Sequence, residues 1–208
     1  MAHLRRPALS GRHPCHVTLR VRTGLASLRG PAVFRAVREA LAAGKERFGF
    51  RLVHFSVQRD HLHLLAEAED RRALTRGVQG LSIRVAKSVN RELGRKGRLF
   101  ADRYHARVLN TPRECWFALR YVLLNARKHE RRAGRMPAGF IDECSSAAWL
   151  AESSWQRPAE LVFGVAKCRR AWAAAHGSAE APVAGARSWL LRSGYRRAGP
   201  IDVDAKPG

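Results

Sequence analysis

His61 and His63 stand two residues apart, and Tyr121 and Asn125 stand four apart. Two imidazoles at the first spacing share one face of a strand, where both can turn a nitrogen toward a single metal ion. Residues at the second spacing share one face of a helix. A phenol oxygen is a competent nucleophile toward phosphorus when a cation polarises the phosphate. An amide oxygen one turn on can join two imidazoles around that cation. Each signal also has a plain structural account. A His-x-His pair is commonly two half-exposed residues of an open sheet. Tyr121 is equally compatible with a core aromatic whose hydroxyl is satisfied at the edge. The apolar side of its helix runs through Trp116, Leu119, Leu123 and Ala126, partly beside Tyr121, so both accounts stay open. Tyr104 is a rival nucleophile, but it alternates with Ala106 and Val108 and is expected to face the core. Tyr195 lies far along the chain and is a poorer candidate.

Four stretches alternate apolar and polar residues as half-buried strands do. They are His16 to Arg22, residues 51–58, His61 to Glu67 and residues 103–109. Gln58-Arg59-Asp60 reads as the tight turn between the second and third. Gly30-Pro31 opens a helix, with Pro at a natural first position and Val33, Phe34, Val37 and Leu41 as its apolar stripe. Asp70 is a plausible N-cap for a second helix through Leu74, Val78, Leu81, Val85 and Val89, closed by Gly94. Thr111-Pro112-Arg113-Glu114 is a capping box that starts a helix expected to run to about His129.

The order β-α-β-β-α-β, then a helix, predicts an α+β fold of the ferredoxin-like, split-βαβ kind with a four-stranded antiparallel sheet. Two crossover helices should cover one sheet face and leave the other open. That open face would carry His16, Thr18, Arg20, His54, His61, His63, His105 and Arg107. A domain of residues 1–130 is expected, then a basic helical extension over 131–208 carrying four of the five tryptophans. Gly134 to Gly139 reads as a linker, residues 185–197 as a basic amphipathic helix, and the last dozen residues as unordered.

The formal net charge is +22, which points to a polyanionic partner. Residues 1–130 hold 27 Lys and Arg against 10 Asp and Glu; residues 131–208 hold 12 against 7. The polyanion should therefore meet mainly the first part. Residues 71–98 concentrate Arg71, Arg72, Arg76, Arg84, Lys87, Arg91, Arg95, Lys96 and Arg98 against Glu92 alone, a surface suited to tracking phosphates. Arg20, His105 and Arg107 add candidate phosphate contacts on the sheet, where they are equally compatible with solvated strand residues. Four scattered cysteines without a CxxC pair read as reduced thiols of a cytoplasmic protein, here one expected at the nucleoid. No signal peptide is visible and no membrane span is expected.

The ordered set of His61-Leu62-His63-Leu64-Leu65, a basic amphipathic helix, Phe100 to Leu109 and Tyr121-x-x-x-Asn125 resembles the single-tyrosine HUH transposases. The similarity covers about residues 12–130 and leans to the REP-associated tyrosine transposases. It departs from that branch at Ala126, where Pro often follows, and at Arg59-Asp60, where Pro-Asn is common. The resemblance implies a divalent metal, Mg²⁺ or Mn²⁺, held by His61, His63 and Asn125. It implies that Tyr121 attacks a DNA phosphate, leaving a 5′-phosphotyrosine and a free 3′-hydroxyl that can later be rejoined. It also implies single-stranded or hairpin DNA as partner and a monomeric or homodimeric enzyme. A catalytically inactive DNA- or RNA-binding regulator of the same fold is the alternative. An RNA-binding sheet of this kind usually carries aromatics on its open face, and His and Arg are expected there instead.

Overall fold

The computed structural model describes residues 9–128, 136–176 and 180–205. Strands form at β1 (Cys15–Arg20), β2 (Glu46–Arg47), β3 (Phe50–Val57), β4 (His61–Ala68) and β5 (His105–Val108). Helices form at α1 (Pro31–Ala43), α2 (Arg71–Glu92), α3 (Pro112–Leu123), α4 (Asn125–Lys128), α5 (Val162–His176) and α6 (Trp189–Arg192). The sheet order is β2-β3-β4-β1-β5, and its neighbours pair antiparallel. The α+β class and the order of strands and helices match the sequence expectation, with one addition. β2 is a two-residue edge strand that pairs with the start of β3. Its hairpin turns on Phe48 (φ 48°) and Gly49 (φ 76°), and glycine relieves the left-handed strain at the second position.

One layer of core lies between the sheet and helices α1 and α2. Val17, Leu19, Leu62, Leu64, Phe55 and Val57 meet Val37, Leu41, Val78, Leu81 and Val85 there. Asp70 caps α2, its Oδ1 accepting from the Ala73 amide at 2.7 Å. α2 approaches β3 so closely at Gly77 that a Cβ there would lie 2.0 Å from the Phe50 ring.

The second sheet face is not open, which corrects the sequence expectation. α3 lies on it, and so do parts of the chain after Phe140. Val53 and Leu65 pack with Leu119, Val122, Ala147, Leu190, Tyr195 and Ile201. His54, expected outward, is 6% exposed because Ser146 covers it, with Oγ 3.1 Å from Nδ1. Burial pulls its pKa down to about 4. Asp142 binds Arg29 with both carboxylate oxygens, at 3.0 and 2.7 Å. Glu67 on β4 accepts hydrogen bonds from the Arg187 amide (2.8 Å), the Ser188 amide (2.9 Å) and Ser188 Oγ (2.7 Å).

Other expectations are corrected in detail. α3 ends at Leu123 with Leu124 as its cap, and Asn125 begins a separate helical turn. The expected end near His129, the 130/131 boundary and the start of the linker lie outside the described residues. Residues 185–197 do not make one amphipathic helix. Four residues of α6 are followed by a 3₁₀ turn at Gly194–Ala198. The last dozen residues, as far as Ala205, are placed against the rest, with Ile201 and Val203 buried. All four cysteines are free and buried, their thiols pushed up to about 11 or 12 by desolvation. Among the described residues no helix is long and apolar enough to cross a membrane.

Candidate active site

Cross-strand register builds the site. Arg20 lies opposite His61, and Thr18 lies opposite both His63 on β4 and His105 on β5. His16 lies opposite Leu65 and Arg107. Alternation turns His16, Thr18, His61 and His63 to the face that α3 crosses. The capping box fixes where α3 begins. The Thr111 hydroxyl accepts from the Glu114 amide at 3.1 Å, and Glu114 Oε2 accepts from the Thr111 and Asn110 amides. Glu114 also binds Arg107 at 3.0 Å, which ties the helix start to the edge strand.

Two and a half turns later α3 delivers Tyr121 to the His pair. The Tyr121 ring meets His63 edge-on at 5.0 Å between centroids and 79° between planes. It meets His16 at 5.7 Å and 61°. His61 and His63 stand 4.7 Å apart at 84°. Three elements distant in sequence therefore bring a phenol and three imidazoles into one cluster.

Both rings of the His pair engage the protein through Nδ1. His63 Nδ1 lies 3.1 Å from His16 Nε2 and 3.3 Å from Thr18 Oγ1. His61 Nδ1 lies 2.7 Å from Asp60 Oδ1. Such outer partners fix a ring's tautomer and turn Nε2 toward a ligand. His16 is held neutral, its pKa lowered to about 4 by burial and by the neighbouring His105 and Arg107 charges. The His61 bond holds the Asp60 carboxyl below its ordinary range.

Asn125 is 1% exposed, and neither its Nδ2 nor its Oδ1 has a hydrogen-bond partner. A buried amide in that state costs about 1–3 kcal/mol per unmade bond unless something binds it. An oxygen-donating metal ligand fits that position. Among the described residues no group of three His, Cys, Asp or Glu side chains could hold a metal ion.

The rival tyrosines lie elsewhere. Tyr104 packs against the α1/α2 core, its hydroxyl 3.1 Å from Thr75 Oγ1. Tyr195 is buried with its hydroxyl 2.5 Å from Ser154 Oγ. The basic residues divide between two sides. Arg20, His105 and Arg107 share the His face and are exposed. Arg71, Arg72, Arg76, Arg84, Lys87 and Arg91 belong to α2, in the layer behind the sheet. Arg95, Lys96 and Arg98 follow on the loop toward β5. Arg95 holds Asn90 Oδ1 at 2.6 Å and the Arg98 carbonyl at 3.2 Å, so part of that loop's charge is used internally. Asp60, His16 and Thr18 are the site residues that spacing alone did not single out. His16 and Thr18 carried a signal, since alternation already put them on the His face.

No curated protein matches the chain. A solved structure of a REP-associated tyrosine transposase bound to a REP hairpin is similar over 62% of this chain and 74% of its own, at 16% identity and a TM-score of 0.49. The family model described as "Transposase IS200 like" matches residues 12–122, from just before β1 almost to the end of α3. That span is just over half of the 208 residues and contains the His pair and Tyr121, and the chain belongs to the IS200-like transposase family.

Proposed function

We propose that this transposase nicks and rejoins single-stranded DNA, with Tyr121 as the covalent nucleophile and hairpin-forming repeats as its substrate. The observation that carries this function is the packing of the Tyr121 ring against His63, 5.0 Å between centroids. His61, His63 and Asn125 would hold Mg²⁺ or Mn²⁺. When bound, the ion would polarise the scissile phosphate and offset its charge. Asp60, His16 and Thr18 hold the two imidazoles in orientation. Arg20, His105 and Arg107 supply positive charge on the same face for the DNA backbone. The Tyr121 oxygen attacks phosphorus, the bond from phosphorus to the 3′-oxygen breaks, and the phenolic proton ends on that leaving oxygen. The products are a 5′-phosphotyrosine and a free 3′-hydroxyl. A second 3′-hydroxyl then attacks the phosphotyrosine, returns the proton to Tyr121 and rejoins the strand. The link conserves the energy of the original bond, so no nucleotide cofactor is needed.

Incubating labelled hairpin DNA with Mg²⁺ and separating the products under denaturing conditions tests this. Wild type should give a protein–DNA adduct, and Tyr121→Phe none. Cleavage without any adduct in wild type would assign a hydrolase. DNA binding with neither cleavage nor adduct would assign the inactive regulator.

A further inference from the structure

α3 carries more than its tyrosine. Phe117 stands one turn before Tyr121, at the spacing that puts both on one side of the helix. It is 47% exposed, which is unusual for a large ring that adjoins a packed core. Arg113 lies over the Phe117 ring at 5.6 Å, and Arg120 over the Trp116 ring at 4.6 Å. The two rings meet edge to face, 5.1 Å apart. Trp116 Nε1 donates to the Gly199 carbonyl at 2.9 Å, which docks the end of the chain beside α3. That segment brings Trp189, 46% exposed, with Arg197 over its ring at 4.9 Å. Between Trp189 and the start of α3 lies an open cleft of about 590 Å³. Arg12, His13, Asn110 and Pro112 line it with Trp189, and no carboxylate does. Arg187 borders it too, although its guanidinium lies 3.2 Å from Glu46.

We propose that this aromatic–arginine surface binds the unpaired nucleotides next to the phosphate that Tyr121 attacks. Bases stack on Phe117 and Trp189, and Arg12, Arg113 and Arg197 take the backbone phosphates. The charge complementarity chooses the occupant. A guanidinium stacked on a ring presents its N–H edge outward, and unpaired DNA offers flat faces and phosphates in alternation. Pro112 and Tyr121 are nine residues apart on α3, about 13 Å along the axis and half a turn around it, so a strand running from the cleft to Tyr121 crosses the exposed side of the helix that carries Phe117. The surface joins α3 to the C-terminal segment, so residues beyond the family match acquire a role in substrate binding. This inference rests on the proposed strand-transfer function.

The test reads binding alone, without metal, in full-length Tyr121→Phe protein, so it stands apart from any failure of the chemistry. Fluorescence anisotropy compares a hairpin carrying a single-stranded flank with the same hairpin cut blunt. Phe117→Ala and Trp189→Ala should each weaken binding of the flanked hairpin about tenfold and leave the blunt one unchanged. Trp189→Phe should recover most of the loss, which separates stacking from misfolding. Abasic sites placed one at a time along the flank should reveal a position whose loss costs the parent protein but not the alanine variant. Equal weakening on both DNAs, or an identical abasic profile in parent and variants, overturns the proposal. Sedimentation showing a dimer that Phe117→Ala and Trp189→Ala dissociate also overturns it, and assigns the face to a second copy of this chain. Absence of adduct in wild type with an intact stacking signature would instead overturn the chemistry.

Discussion

His63 uses its Nδ1 inside the protein, against His16 Nε2 at 3.1 Å and Thr18 Oγ1 at 3.3 Å. An imidazole so held has little freedom to turn, and its Nε2 stays buried. His16→Phe keeps a ring beside Tyr121 and removes the nitrogen that His63 Nδ1 meets. It should weaken Mn²⁺ binding about tenfold or more, read by calorimetry or by the electron paramagnetic resonance of the free ion. Unchanged affinity would mean that Thr18 alone suffices. His54 is the same residue type enclosed in a core. It sits buried against Ser146, with its pKa lowered to about 4. The unfolded chain therefore takes up a proton first as pH falls. Its contribution to stability is full above about pH 6.5 and is lost progressively toward pH 4, up to about 3 kcal/mol. Urea denaturation across that range should show a steep loss in wild type and a shallower one in His54→Gln.

Elements hold these residues to their places, and Gly77 shows how tightly. Replacing an exposed helical glycine with alanine gains about 1 kcal/mol from helix propensity. At Gly77 the new methyl would meet the Phe50 ring at 2.0 Å, and overpacking costs about 1–3 kcal/mol. Gly77→Ala should therefore lower the melting temperature, despite its better propensity. A rise would show that α2 can slide on the sheet. The same local rules explain what was legible beforehand. Val17 and Leu19 alternating with His16 and Thr18 announced β1, and Thr111-Pro112-Arg113-Glu114 announced the start of α3 to the residue. His61 and His63 were placed on one face by parity alone. What escaped depends on contacts remote in sequence. Alternation put His54 outward, and only residues some ninety positions later turn that surface into core. The break at Leu124 and the two-residue β2 lack a strong local signal. Asp60 looked like a turn residue because its tie to the His61 ring is a matter of side-chain direction.

At the scale of the whole molecule, positive charge lies on both sides of the sheet. Arg20, His105 and Arg107 flank the tyrosine, while the α2 arginines stand in the opposite layer. Each phosphate contact adds to the salt dependence of binding, by about 0.7 in the slope of log K against log salt for a single strand and about 0.9 for a duplex. Exchanging Arg71, Arg72 and Arg76 for serine together should reduce that slope by about 2 to 3 if α2 touches DNA. An unchanged slope would mean that these three residues make no phosphate contact.

Glu67 ties β4 to residues far down the chain in a way that bears on how the molecule is made. Its carboxylate sits on a central strand, yet the groups that satisfy it arrive with Arg187 and Ser188, more than a hundred residues downstream. While the chain is still emerging from the ribosome, β4 must leave that acid to water and cannot bury the surface around it. The side of the sheet that faces Tyr121 is therefore finished last. A nascent chain therefore carries an incompletely covered sheet face until Arg187 and Ser188 have been made.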